Sequence, residues 1–194
     1  GNMTIEVESF FSKKRVCILN SGIAPRSFLK VKGRFFCDEN PVVRNIGEGE
    51  LVIRESSLHR GDGGGDLNQV VVIGNVAGYP FTINEENYTE IINTTILKTT
   101  LGTDTLGALV ARGDAFDASS TRVFLRDNIF TTIGSFTGYV VSAETAVTPD
   151  NDFYFDGCRS SIPTLASMAI IQKEAGGAGI TVNDTYLSTY DYIK

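Results

Sequence analysis

The sequence predicts a mainly β fold, an antiparallel sandwich or barrel with one or two short inserted helices. Val, Ile and Thr are abundant in the 194 residues, and the apolar runs are short and bounded by Gly, Asn and Asp. β-branched residues favour strands, whereas Gly, Asn and Asp favour the turns between them. A hydrophobic fraction of 42% is typical of a globular protein and excludes a disordered chain. An α+β fold with a segregated sheet is the alternative.

Strands are predicted where apolar residues alternate with polar ones or form short runs. Residues 29–36 alternate strictly, and their polar face carries Lys30, Lys32 and Arg34. Residues 41–44 and 51–54 flank a Gly-Glu-Gly-Glu turn and predict a hairpin. The apolar run 69–73 is typical of a buried strand. Further strands are predicted at residues 15–19, 122–125, 129–133, 138–142 and 153–155.

One stretch, residues 85–98, favours a helix. Asn84 can cap its first turn, Glu85 and Glu86 are favourable at a helix start, and apolar residues follow at helical spacing. The many β-branched residues between 91 and 100 oppose this interpretation. Residues 105–112 and 162–173 are compatible with short helices or with strands, because periodicity does not separate the two in such short runs.

The composition changes along the chain. Residues 1–60 carry 10 Lys/Arg and 7 Asp/Glu, whereas residues 61–194 carry 7 and 16. Of the 19 threonines, 18 come from Thr82 onward. We predict a single β-rich domain over residues 1–194, with division into a basic docking part, 1–60, and an acidic Thr-rich part, 69–194, as the alternative. No sequence repeat of solenoid or propeller length is apparent.

The sequence offers few groups for catalysis. His59 is the single histidine, so any Ser-His or Cys-His scheme would depend on it. Ser27 and Lys30 have the S-x-x-K spacing, but the companion motifs of that chemistry are missing. The glycine-rich segment 60–66 lacks the G-K-[ST] ending of a phosphate-binding loop. We therefore predict no enzyme activity, no catalytic residue and no cofactor.

Neither a metal site nor a structural disulfide is predicted. The three cysteines, Cys17, Cys37 and Cys158, show no C-x-x-C spacing and are predicted to be free thiols. A Cys17–Cys37 bridge would need an oxidising environment. Oxygen-rich clusters leave calcium open as an alternative. These clusters comprise Asp62, Asp66 and Asn68, and Asp150, Asn151, Asp152 and Asp156.

Two Arg-Gly-Asp tripeptides and one basic row are the candidate binding residues. The tripeptides are Arg60, Gly61 and Asp62, and Arg112, Gly113 and Asp114. In an exposed loop this tripeptide has the charge layout that integrins capture, and the alternative is a polar turn with local Arg–Asp pairing. The row Lys30, Lys32 and Arg34 would dock on an acidic protein face, or else would pair with Glu48, Glu50 or Glu55. No aromatic residues interleave with this row and the net charge is −6, so nucleic acid is not a predicted partner.

The predicted function is that of a non-enzymatic structural or attachment protein. It would self-associate as a component of a virion, a phage tail or a surface appendage, and a cell-surface protein or a glycan would be its receptor. The start of the sequence lacks a signal-peptide pattern and no apolar run is long enough to cross a bilayer, so we expect synthesis in a cytoplasm and no membrane insertion. In general character the chain is similar to viral and phage attachment heads. The alternatives are a monomeric carbohydrate- or small-ligand-binding β module, and a carboxylate-based hydrolase.

Overall fold

The computed structural model describes twelve segments of the chain, and in them all regular secondary structure is β-strand. These segments are residues 1–21, 28–47, 49–63, 69–74, 87–100, 108–112, 121–134, 136, 139–143, 153–161, 171–173 and 180–183. No helix occurs within these segments, and therefore none that could span a membrane.

Seventeen strands follow one another along the described residues. The first five are β1 (Asn2–Ser12), β2 (Ile18–Asn20), β3 (Phe28–Cys37), β4 (Val43–Asn45) and β5 (Gly49–Arg54). The next six are β6 (Ser57–Arg60), β7 (Val71–Ile73), β8 (Asn87–Ile92), β9 (Thr95–Thr99), β10 (Ala108–Arg112) and β11 (Thr121–Arg126). The last six are β12 (Ile129–Ile133), β13 (Tyr139–Ala143), β14 (Phe153–Asp156), β15 (Arg159–Ser161), β16 (Ile171–Lys173) and β17 (Ile180–Asn183).

Every described pairing between these strands is parallel, so the predicted antiparallel sandwich or barrel is wrong. One six-stranded sheet has the order β16-β13-β10-β7-β4-β2. A second, curled sheet has eleven strands in the order β15-β12-β9-β6-β3-β5-β8-β11-β14-β17, with β1 also paired to β3. Neighbouring strands in a sheet are mostly three strands apart along the chain, as β4, β7 and β10 are. The chain therefore winds around an axis and returns to the same face with every third strand.

The architecture is a parallel β-solenoid whose coils stack in sequence order. A complete coil contributes one strand to the six-stranded sheet and two to the eleven-stranded sheet, as β4, β5 and β6 do. Equivalent residues on successive coils are 22 to 39 positions apart, the extremes being Phe28 with Glu50 and Val71 with Val110. The chain therefore has a structural repeat of solenoid length, although the sequence shows none.

A repeated corner turns the chain between the two halves of the eleven-stranded sheet. In four successive coils the first corner residue has a left-handed backbone. These residues are Glu55 (φ 49°), Asn93 (φ 46°), Asp127 (φ 53°) and Gly157 (φ 62°). Asn, Asp and Gly are the residue types that adopt this conformation most readily, which explains three of the four. Glu55 is the exception in residue type.

The residue after each left-handed position is buried and bonds from one coil to the next. The four are Ser56, Thr94, Asn128 and Cys158. The Asn128 side chain accepts a hydrogen bond from the Thr94 amide at 3.0 Å and donates one to the Ile91 carbonyl at 2.7 Å. The Thr94 hydroxyl donates to the Ile92 carbonyl at 2.9 Å. These bonds satisfy backbone groups that the turn withdraws from the strand ladders.

One apolar core lies between the sheets and explains why the coils stack. Val71, Val110 and Val141 of the six-stranded sheet belong to the same buried cluster as Ile91 and Phe130 of the other sheet. Short runs of Val and Ile suit strands that are covered on their inner face. The predicted buried strand at 69–73 is confirmed, because Val70 to Ile73 are fully buried.

Two further expectations are wrong because strands pair with strands of neighbouring coils. The residues predicted as a helix at 85–98 form β8 and β9 where they are described, since their β-branched side chains fit the ladder between neighbouring coils. The predicted hairpin of 41–44 with 51–54 does not form, because β4 and β5 lie in different sheets and pair only with strands of other coils. The strands predicted at 122–125, 129–133, 138–142 and 153–155 are confirmed to within a residue or two.

We expect Asn128→Ala to lower the free energy of unfolding by about 2–4 kcal/mol. The substitution leaves the Thr94 amide and the Ile91 carbonyl without this partner in a buried corner, and each such group costs about 1–3 kcal/mol. Urea unfolding followed by circular dichroism measures the change. The control is Ile129→Ala at the exposed neighbouring position, which should change stability by about 0.5 kcal/mol or less. Equal effects of the two substitutions would contradict the role of the corner.

Candidate functional site

The strand β1 forms one end of the stack and is the most exposed apolar element described. Met3 is 58% exposed, Phe10 47% and Phe11 68%. Among the described residues β1 pairs with β3 alone, so one edge of an eleven-residue strand has no described neighbour. An open edge presents a row of backbone donors and acceptors to another strand. We call β1 the end strand.

A short aromatic stack runs from the end strand onto the side of the solenoid. The rings of Phe11 and Phe36 are parallel, with centroids 5.1 Å apart and planes at 6°. The rings of Phe36 and His59 are nearly perpendicular, with centroids 4.7 Å apart and planes at 89°. Because the three positions are in register on β1, β3 and β6, the stack ends at Phe11, whose outer side is largely exposed.

Charge is arranged unevenly along the end strand. Glu6 and Glu8 lie in its middle, and Lys13, Lys14 and Arg15 follow directly after it, all exposed. Residues 1–42 carry seven Lys/Arg and four Asp/Glu, so the excess of positive charge in the first part of the chain lies in the first turns of the stack. From residue 61 onward the described residues carry six Lys/Arg and four Asp/Glu, so most of the acidic residues of the later part lie outside the described residues.

The basic row lies on the outer side of β3, where charge pairing reduces its net charge. Lys32 donates a hydrogen bond to the Glu55 carboxylate and lies 3.9 Å from Glu6. This contact raises the pKa of Lys32 and lowers the pKa of Glu55. The pairing of this row with a neighbouring glutamate is confirmed for Lys32. Lys30 and Arg34 point to the same side of the strand, where Lys30 is half-buried and Arg34 is exposed.

The first Arg-Gly-Asp tripeptide is not the exposed motif that the sequence predicts. Arg60 is 1% exposed, because it occupies an inward position at the end of β6 in register with Cys37. Its guanidinium donates hydrogen bonds to four backbone carbonyls, those of residues 38, 39, 61 and 63. A receptor that needs this guanidinium in solvent cannot reach it in this conformation. Asp62 is exposed.

Beside Arg60 lies an open cleft of about 400 Å³, which we call the Gly61 cleft. Its lining residues are Phe36, Asp38, Gly61, Asp62, Gly63 and Thr99. Glycine is needed at 61 and 63, because a Cβ at either position would overlap the Asp38 side chain. Asp38 also accepts a hydrogen bond from the Gly63 amide at 3.2 Å. The cleft therefore combines an aromatic edge, two carboxylates and a hydroxyl, a set suited to small polar ligands.

A second aromatic row crosses the coils on β8, β11 and β14. Tyr88 and Phe124 have centroids 5.0 Å apart, and Phe124 stacks on Tyr154 at 4.5 Å with planes at 4°. Both faces of Phe124 are therefore covered by neighbouring rings. Sugars bind aromatic residues through an open ring face, so this row stabilises the sheet and is unsuited to stacking a saccharide on Phe124.

Most of the remaining candidate residues lie outside the described residues, and no site is formed by those that are described. Arg112 ends β10, while Gly113, Asp114 and Glu48 lie outside the described residues. Ser27 and most of the calcium candidates also lie outside the described residues; these candidates are Asp66, Asn68, Asp150, Asn151 and Asp152. Asp156 pairs with Arg126 at 3.5 Å. Within the described segments no three His, Cys, Asp or Glu side chains are grouped so as to hold a metal ion.

Comparison with known proteins identifies no relative. No family model matches the chain, and no curated protein or solved structure matches it significantly.

Sequence analysis identified Gly61 and Asp62 as candidates but missed the end strand and the other cleft residues Phe36, Asp38 and Thr99. The adjacent Phe10 and Phe11 in a stretch with alternating apolar residues were the available signal for β1. Asp38 and Thr99 join Gly61 only through the stacking of coils, since they belong to three different coils of the chain. No local pattern in the sequence brings them together.

We expect Arg60→Met to lower the free energy of unfolding by about 3 kcal/mol or more. The substitution keeps the length of the side chain but removes hydrogen bonds to four carbonyls, and a buried polar group left unsatisfied costs about 1–3 kcal/mol. Urea unfolding measures the loss. Arg34→Met, on the exposed face of β3, is the matched control and should change stability by about 0.5 kcal/mol or less. A small effect at Arg60 would contradict its structural role.

We expect His59 to make the fold less stable as the pH falls through about 6.5. Burial lowers the pKa of His59 below its ordinary value of 6.5, so the unfolded chain binds a proton there that the folded chain does not. His59→Gln should therefore flatten the dependence of urea stability on pH between about 7.5 and 5.5. Carboxylates such as Glu55 titrate below this window. An unchanged slope in the variant would contradict this assignment.

Proposed function

We propose that this protein is a non-enzymatic structural protein that self-associates through its end strand. The observation that carries the proposal is the end strand itself, because it combines a strand edge without a described neighbour with three exposed large apolar side chains. Solenoids normally cover their end coils with polar residues, since an open end promotes association. The exposed Met3, Phe10 and Phe11 depart from that rule.

The partner is a second copy of the same strand, paired in the antiparallel direction. In such a pair the first half of one strand lies beside the second half of the other, as a two-fold axis requires. Full overlap places Met3 of one copy opposite Phe11 of the other, whereas Glu6 lies opposite Glu8, so the contact depends on the backbone edge and the apolar side chains and not on charge pairing. The open edge supplies backbone hydrogen bonds, and the phenylalanines supply apolar area.

The same pairing extends the aromatic stack. Phe11 is its last ring on this side, and the partner strand would cover the exposed side of that ring. Covering an aromatic side chain contributes more than covering a polar one, because its apolar area is large. This favours a dimer joined through the end strands of the two stacks, with the later coils directed away from the contact. Membership of a virion, phage tail or appendage, and a cell-surface receptor, stay predictions from the sequence.

We expect the protein to form a dimer in solution. Light scattering behind a sizing column measures the absolute mass, for which a monomer would give 21.0 kDa. The double variant Met3→Lys/Phe11→Lys places two charges in the proposed contact and should shift the protein to the monomer.

The matched control is Ile129→Lys/Ile133→Lys. Ile133 is 54% exposed and lies on β12, away from the end strand, so this variant should keep the mass of the original protein. Far-ultraviolet circular dichroism checks that both variants are folded. A monomer for the original protein at all concentrations, or the same loss of mass in both variants, would contradict the proposal.

A further inference from the structure

Two thiols meet in the first turn of the solenoid. Cys17 lies just before β2, and Cys37 is the last residue of β3. The Cys17 thiol donates a hydrogen bond to the Phe36 carbonyl at 3.2 Å, and the Cys37 thiol donates one to the Arg15 carbonyl at 3.1 Å. Each sulfur therefore contacts the backbone next to the other cysteine, one residue from Cys37 in the first case and two from Cys17 in the second.

The pKa of Cys17 also indicates that Cys37 lies close to it. Burial raises the pKa of the Cys17 thiol to about 12, and the neighbouring Cys37 thiol adds to the rise. Cys17 is half-buried whereas Cys37 is fully buried. A reagent in solution would therefore reach Cys17 first.

The third cysteine lies elsewhere. Cys158 is fully buried at the repeated corner and donates hydrogen bonds to the Leu125 carbonyl at 3.1 Å and the Asp156 carbonyl at 3.6 Å. It belongs to the coil of β14 and β15, four coils beyond the strand that carries Cys37. The chain therefore contains one thiol pair and one isolated thiol, so a selective reaction can be distinguished from a general one.

We propose that Cys17 and Cys37 are an oxidative modification site that forms an intramolecular disulfide with a disulfide oxidant such as oxidised glutathione. In the first step the Cys17 thiolate attacks one sulfur of the oxidant, which forms a mixed disulfide and releases one glutathione thiolate. In the second step the Cys37 thiolate attacks the Cys17 sulfur and releases the second glutathione. The protein loses two electrons and two protons, and one oxidised glutathione becomes two reduced ones.

The bridge would fasten the part of the fold that carries the end strand. Cys37 is in register with Ser12 at the end of β1, and the chain from Ser12 to Cys17 connects β1 to β2. A covalent link from Cys17 to Cys37 closes the loop between these residues and restricts the unfolded chain. The end strand would then separate less readily from β3.

The test is incubation of the full chain with oxidised glutathione at increasing pH. Thiol titration should fall from three free thiols to one, and the intact mass should fall by two hydrogen atoms without added glutathione. Peptide mapping without reduction should join the peptides that contain Cys17 and Cys37. Because the reacting species is the thiolate, the rate should rise about tenfold per pH unit around neutral pH. The oxidised protein should also melt at a higher temperature than the reduced one.

Single substitutions separate this site from other outcomes. Cys158→Ser should form the same bridge, whereas Cys37→Ser should stop at the mixed disulfide and retain one glutathione on Cys17. Stable glutathione on both cysteines of the original protein, a bridge that includes Cys158, or a disulfide between two chains would overturn the proposal. The bridge lies within one chain, so its formation can be scored whether the protein is a monomer or a dimer.

Discussion

The repeated corner is the constraint on which the rest of the structure depends. Four coils turn at a left-handed residue and then bury a small polar or thiol side chain. Asn128 and Thr94 satisfy backbone groups there and bond one coil to the next. Because the corner fixes where each strand ends, it also sets the register in which Ile91, Leu125 and their equivalents meet in the core. The cleft and the end strand are placed by that register.

The positions of strands could be predicted from the sequence, but their partners could not. Alternation in residues 29–36 identifies the inner face of β3, yet the same alternation fits parallel and antiparallel neighbours equally well. The corner changes its residue types from Glu-Ser to Asn-Thr, Asp-Asn and Gly-Cys, and the coil length varies from 22 to 39 residues. A repeat that is maintained in backbone geometry but not in residue type cannot be detected as a sequence repeat.

The residues of the candidate site could likewise be predicted from the sequence only in part. The charge row on β3 follows from local alternation, and so does the contact of Lys32 with a neighbouring glutamate. Arg60 illustrates the opposite case, since a glycine-rich stretch suggests an exposed loop while its inward position on β6 directs the guanidinium to backbone carbonyls. A charged residue in a strand is interpreted correctly only when the face it lies on is known, and that depends on which coil lies next to it.

Stacking in sequence order also determines where the molecule comes apart. Each coil contacts mainly the coils before and after it, so the interior coils are held from two sides and the outermost from one. Unfolding under heat or mechanical load should therefore start at an outer coil and advance one coil at a time. The first strand is one such starting point, because its bonds join it to β3 alone among the described strands. A partner that covers that strand therefore raises the free-energy barrier to unfolding for all the coils that follow it.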